Sequence, residues 1–263
     1  MSLNATQEAS REQFERQSRN YGSSHILADT SDIAEALGDL VAGVGRAALD
    51  IATGGGHTAV FLAANGWNVT ASDLTPAMLT RAGELASERG VAIQTALHEA
   101  ERLPYAEASF DLVTCRVAAH HFSDPAAFVS EVRRILAPGG HFLLIDGSVP
   151  DGASTAEEWI HSIEKLRDPS HARFLSPSAW TQLCEASGLR VLSARLTPFK
   201  QPDLEWYFQT AATPAENRAK VVELVRSAPS EAREAFQIGH EDGKTVWWWP
   251  RLALLARRQP GAE

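Results

Sequence analysis

Cysteine is scarce: the only two in 263 residues are Cys115 and Cys184. They lie far apart in sequence, and neither falls in a C-x-x-C or Cys/His metal spacing, so a disulfide framework and a cysteine metal site are both excluded. Both thiols are expected to be ordinary buried side chains in a reducing, cytoplasmic setting. No window approaches the roughly 18 apolar residues of a membrane span, and the polar amino terminus lacks the apolar core of a leader. Basic charge is scarce too. There are 24 Lys and Arg against 33 Asp and Glu, for a net charge of −9, and no basic run is longer than Arg257-Arg258. Nucleic-acid or anionic-membrane binding would lack its electrostatic footprint, whereas a small neutral or cationic partner fits. Repeats and low-complexity segments are absent.

The length suffices for one large domain with additions or for two small ones, with a core that needs no disulfides. Residues 4–45 read as a polar, helix-prone lead-in. Ile33, Ala36, Leu37, Leu40 and Val41 recur there at helical spacing, and Asn20-Tyr21-Gly22 marks a break. From Ala47 the chain alternates short apolar runs with amphipathic helices, the pattern of a parallel sheet covered on both faces. Strands are expected at Ala47 to Ile51, Asn68 to Ser72, Ala92 to Ala96, Phe110 to Cys115, His141 to Asp146 and Leu189 to Leu196. Thr75-Pro76 reads as a cap followed by proline at the first helical position, while Ala137-Pro138-Gly139-Gly140 turns a helix into a strand. Residues 198–243 show helical stretches and no clear strand. A last strand is expected within Val246 to Arg257, with Pro250 confining its regular part to the residues after it or to an edge.

The chain is organised around residues 47–59, a short apolar strand ending in Asp50, a turn at Gly54-Gly55-Gly56 and a helix opening at His57. Glycines admit positive φ and let a ligand approach the backbone, and the helix offers unpaired N–H groups. Two cofactor classes use such a turn. Gly54-x-Gly56-x-x-Ala59, with Asp73 downstream, fits the loose dinucleotide pattern, so an NAD-dependent oxidoreductase is one reading. S-adenosylmethionine (SAM) is the other. A carboxylate at Asp50 would repel a pyrophosphate but suits an ammonium group, which moves the balance toward SAM.

Five motifs then follow in order: Leu49 to Gly56, Val69 to Leu79, Glu99 to Tyr105, Ser109 to Val113 and Leu136 to Gly140. Together they resemble the class I SAM-dependent methyltransferases over about residues 10–257. The likeness is to the small-molecule branch that includes the ubiquinone and menaquinone biosynthesis methyltransferases (the methyltransferase type 11 domain). The resemblance implies a Rossmann-like, doubly wound α/β sheet of seven strands with the last antiparallel. It implies an N-terminal helical lid (1–45), a cofactor-binding core (46–197 and 244–258), and a helical insertion (198–243) between the last two strands, covering the substrate side. It further implies that Asp50 and the turn at Ala52, Gly54 and Gly56 hold the methionine end of SAM and that Asp73 takes both ribose hydroxyls. Leu74 and Met78 would pack on adenine, with Glu99 and the Ala100 N–H meeting its polar edge. Tyr21 would belong to the lid, and Arg116 would bring its backbone carbonyl to the cofactor ammonium. Ala52 replaces the usual first glycine, and Glu99 stands where aspartate is common.

After the fourth strand the family places its reacting groups, and here the chain carries His120-His121 in place of the Asn/Asp-Pro-Pro-aromatic motif of nitrogen-directed enzymes. A histidine near its ordinary pKa of about 6.5 can serve as base toward a hydroxyl or an acidic carbon. One of the two, not both, is expected to do so. His57 reads as a cap or cofactor-side contact, and His161, His171 and Arg173 show no metal spacing. Trp206-Tyr207-Phe208 and Trp247-Trp248-Trp249 are expected either to line a pocket or to bury the insertion against the sheet. The expectation is a metal-free SAM-dependent methyltransferase, monomer or homodimer, that methylates oxygen or carbon of a small acceptor and releases S-adenosylhomocysteine (SAH). A non-catalytic SAM-binding protein is the remaining alternative.

Overall fold

The computed structural model describes residues 3–21 and 25–259, with the backbone alone at 17–21 and 25–26. Ahead of the sheet lie helices α1 (Ala5–Tyr21), α2 (His25–Ala28) and α3 (Ser31–Leu37), and Ile33 and Leu37 of α3 are buried. The break expected at Asn20-Tyr21-Gly22 falls where α1 ends, and the Tyr21 side chain lies outside the described residues.

β1 (Ala47–Ile51) leads to α4 (His57–Ala64), β2 (Asn68–Asp73), α5 (Pro76–Glu88) and β3 (Gln94–Leu97). β4 (Phe110–Arg116), α6 (Pro125–Ile135) and β5 (Leu136–Gly147) follow, then α7 (Ser154–Arg167), α8 (Pro177–Ala186) and β6 (Leu189–Gln201). The strands line up as β3-β2-β1-β4-β5, all parallel, and then a long β8 (Lys244–Arg258) runs antiparallel between β5 and β6. Alternate residues face opposite layers. Ala48, Leu112 and Leu143 pack under α3 and α4, while Leu49, Val113 and Leu144 pack under α6 and α8. Burial on both faces explains why these strands read as continuous apolar runs.

Several boundaries differ from the expected ones. β3 is shifted to Gln94–Leu97, and β5 begins directly at the end of α6 because Phe110 pairs with Leu136 before a register shift brings Leu112 opposite His141. The Ala137-to-Gly140 turn is therefore an irregularity within the strand. Pro250 does not interrupt β8. Its partner across the ladder is Pro198, so neither residue leaves a donor unanswered at that pair. The segment 198–243 does contain strand: β6 extends to Gln201, and β7 (Gly239–Glu241) pairs with the start of β8.

The insertion helices α9 (Leu204–Thr210), α10 (Ala215–Arg226) and α11 (Ser230–Ala235) share a second core with α7. Tyr207, Phe236 and Trp247 are fully enclosed there against Trp159, Ile160 and Ile163. A buried aromatic of this kind contributes about 1.5 to 3 kcal/mol by leaving water. Glu164 of α7 ties the two units, accepting from the Tyr207 hydroxyl and, at 3.0 Å, from Arg167. The aromatic runs thus hold the insertion to the sheet, the second of the two uses read from the sequence. Behind α1, the Gln13 amide donates to the Ala211 carbonyl at 2.9 Å, so the insertion braces the N-terminal helix.

Candidate active site

The chain crosses over between β1 and β4, and a cleft opens at the carboxyl ends of these neighbouring strands, where open α/β sheets bind ligands. Its empty space, open solvent at the mouth included, is about 930 Å³. The floor is the β1 turn, the wall on one side is the end of β2 with Met78 and residues 98–101, and the other wall is the end of β4 with His121 and Phe122. α1 forms the roof. Gln7, Ser10, Arg11 and Phe14 line the cleft at the i, i+3, i+4, i+7 spacing of one helix face.

Gly54 and Ala52 lie on the cleft with φ of 52° and 53°. For alanine that left-handed conformation costs roughly 1 to 2 kcal/mol, the physical content of the glycine usually found there. Gly56 serves differently. A Cβ on it would stand 2.7 Å from the Ala82 backbone, so this glycine lets α5 pack against the start of α4 and does not line the cleft. Asp50 does not line it either. Its buried carboxylate is closed by the hydroxyls of Thr53 (2.6 Å) and Thr114 (2.7 Å), and burial pushes its pKa up to about 6 against those two hydrogen bonds. Asp50 thereby shapes the turn through Thr53.

Asp73 does reach the cleft. Its two oxygens accept from the N–H groups of Gly54 and Thr75, each at 2.9 Å, and burial raises its pKa while those hydrogen bonds oppose the rise. Each oxygen keeps lone-pair capacity for a ligand hydroxyl. Leu74, Met78, Glu99 and Ala100 also line the cleft, and Glu99 accepts from Gln7 of the roof at 2.8 Å. Arg116 also lines the cleft. The guanidinium holds Asp32 at 3.0 Å and donates to the carbonyls of Leu27 (2.9 Å) and Asp29 (2.5 Å), clamping the segment after α2 over the cleft. Val117 follows with φ of 54°, a strained setting for a β-branched residue and one the sequence did not reveal.

The two histidines differ. His120 is not on the cleft: its Nδ1 lies 2.6 Å from Asp146, whose other oxygen takes the His120 N–H at 2.8 Å. Burial disfavours its charge, but the Asp146 carboxylate outweighs that and raises its pKa. His121 faces the cleft and meets Phe14 of the roof edge-on, with ring centroids 4.9 Å apart. Its Nδ1 lies 3.1 Å from the Ser170 carbonyl, and burial, with the neighbouring His120 charge, pushes its pKa down to about 4. Asp146 and Ser170 were not found from sequence, because each meets its histidine from an element many residues away.

Two buried polar atoms on the cleft, Ser10 Oγ and His57 Nε2, have no hydrogen-bond partner among the described residues. Such atoms ask for a ligand. A glycine floor, a ribose-competent carboxylate and an apolar adenine wall fit a nucleoside cofactor. Among the described residues no group of three or more His, Cys, Asp and Glu is placed to hold a metal ion, and no helix is long and apolar enough to cross a membrane.

Comparison with known proteins agrees with this arrangement. Residues 49–144 match the family model described as a methyltransferase domain. The chain is 31% identical over 244 residues to the uncharacterized methyltransferase YcgJ of Bacillus subtilis (strain 168), covering 92% of this chain and 96% of that one. The crystal structure of YcgJ superposes with a TM-score of 0.77 over 86% of this chain and 99% of its own. A demethylmenaquinone methyltransferase of Deinococcus radiodurans is 37% identical over 107 residues, 40% of this chain and 44% of its length. A ubiquinone biosynthesis O-methyltransferase of Coxiella burnetii is 28% identical over 152 residues, 56% and 65% of the two chains. With a near-full-length relative at this identity and a sheet of the same order, the chain belongs to the methyltransferase family.

Proposed function

We propose that the protein is a SAM-dependent methyltransferase that methylates oxygen or carbon of a small organic acceptor and releases SAH, with His121 as the group that takes the acceptor proton. The observation that carries this reading is the asymmetry of the histidine pair: only His121 borders the cleft, and it is neutral throughout the physiological range. Asp73 would hold the ribose, Leu74 and Met78 the adenine face, Glu99 and the Ala100 N–H its polar edge, and Gly54 the methionine end. When bound, SAM supplies an electrophilic methyl carbon on a sulfonium. The chain's own part is to position the acceptor, exclude water and hold one proton.

Phe14 and Phe122 enclose the His121 end of the cleft with apolar rings. A neutral imidazole there can accept a hydrogen bond from an acceptor hydroxyl and take its proton transiently as the methyl group is transferred, passing it on to solvent. The insertion supports the substrate side at one remove, through Gln13 of α1, since none of residues 198–243 lines the cleft itself. Buried free thiols at Cys115 and Cys184 suit a cytoplasmic location. The test is transfer of label from methyl-labelled SAM to a panel of phenols, aliphatic alcohols and enolisable ketones. Label should enter an oxygen or carbon acceptor, and His121→Ala should slow the transfer by about a hundredfold or more. Full activity in that variant would remove His121 from the chemistry, and label on amines alone would overturn the oxygen or carbon assignment.

A further inference from the structure

Behind His121, on the side away from the cleft, the chain leaving α7 turns through Asp168 and Ser170. Both are almost wholly enclosed, at 7% and 1% exposure. Ser170 gives Asp168 Oδ1 two hydrogen bonds, one from its N–H at 2.9 Å and one from its hydroxyl at 2.5 Å. A serine hydroxyl has a single proton. With that proton committed to Asp168, Ser170 Oγ, 3.1 Å from His121 Nδ1, is left with lone pairs to offer. The Ser170 carbonyl, also 3.1 Å from Nδ1, has nothing else to offer either.

Two acceptors therefore converge on Nδ1. We infer that Asp168 and Ser170 form a positioning pair that fixes His121 in the Nδ1–H tautomer, which makes Nε2 the atom that accepts a proton from the cleft side. This assignment rests on the proposed role of His121 but concerns only residues of the chain. A proton arriving on Nε2 converts the neutral ring to an imidazolium, and the new charge then faces the Asp168 carboxylate across the Ser170 hydroxyl. The other charged and titratable groups that act on the ring are His120, Asp146 from the end of β5, and His171 in the turn itself. Of these, none is within hydrogen-bond reach of Nδ1 among the described residues, so the tautomer is set by the 168–170 turn.

Histidine-selective ¹⁵N NMR of the full chain at pH 7.5, with neither cofactor nor acceptor required, reads the tautomer directly. Wild-type His121 should show a protonated Nδ1 and a bare Nε2. Asp168→Ala removes the acceptor and frees the Ser170 hydroxyl to donate to Nδ1, and the Nε2–H form should rise from a trace to a readily measured fraction. Ser170→Thr keeps the hydroxyl and should keep the wild-type pattern. If Asp168→Ala does not fold, Ser170→Ala is read in its place: it removes one of the two acceptors and leaves the backbone carbonyl, so a smaller but measurable rise is expected. A wild-type ring in the Nε2–H form, or a variant with a native amide spectrum and an unchanged tautomer, overturns the assignment. Absence of SAM binding would contradict the methyltransferase reading alone and leave this result intact.

Discussion

The rings of His120 and His121 lie with centroids 4.1 Å apart, and their surroundings drive their proton affinities in opposite directions. His120 is braced by Asp146, whereas His121 is enclosed beside it with only a carbonyl and a hydroxyl at Nδ1. Neighbouring groups pushed apart in this way divide into distinct chemical roles.

A pH dependence of stability follows from the pair. Unfolded His121 takes up a proton near pH 6.5 and the folded residue only near 4, so its contribution is fully present above 6.5 and is lost as pH falls toward 4. His120 has the opposite sign: its contribution is full below about 6.5 and is lost as pH rises through its elevated folded value. Urea denaturation across pH, comparing wild type with His121→Asn, should show a difference that changes by up to about 1.4 kcal/mol per pH unit between 4 and 6.5. Parallel curves for the two proteins would contradict the assignment.

Ala52 holds a left-handed conformation at the head of the glycine turn. Ala52→Gly should raise the unfolding free energy by about 0.5 to 1 kcal/mol, because relief of the backbone strain exceeds the added freedom of the unfolded chain. A lowered denaturation midpoint would show that the turn is unstrained.

Asp73 combines two backbone hydrogen bonds with free lone pairs on the cleft. Asp73→Ala should weaken SAH binding by roughly 1.5 to 3 kcal/mol for each charge-assisted hydrogen bond lost. Unchanged affinity would remove Asp73 from the cofactor site.

Arg116 joins the end of β4 to Asp32 and to the carbonyls of Leu27 and Asp29. Arg116 is buried but Asp32 is half-buried and keeps Arg251 as a second partner, so Arg116→Met should destabilise the fold by about 1 to 3 kcal/mol through the hydrogen bonds lost. Amide exchange should accelerate first at residues 27–37. Uniform acceleration across the chain would argue against a local clamp.

What the sequence made legible was local chemistry. Thr75-Pro76 and Gly54 to Gly56 each sit within a few residues of the strand end they serve, so turn residues sufficed to place them, while Glu99-Ala100 was placed by the family resemblance. Their partners across the fold were not legible. Asp146 meets His120 from 26 residues away, Ser170 meets His121 from 49, and Thr114 meets Asp50 from 64. Nothing in the local pattern of those residues marks them, because their role comes from the strand order. The same holds for Pro250, a strand breaker by its own chemistry that is accommodated only because Pro198 stands opposite. Gly56 and Asp50 belong to the same motif, and the fold shows how they build the turn: Gly56 admits the Ala82 backbone and Asp50 accepts from Thr53.

The cofactor is tested most directly by calorimetric titration of the purified protein with SAH and, separately, with NADH. SAH should bind at one site per chain with micromolar affinity, and NADH should give no saturable heat. Saturable NADH binding with none for SAH would contradict the assignment of this cleft to SAM.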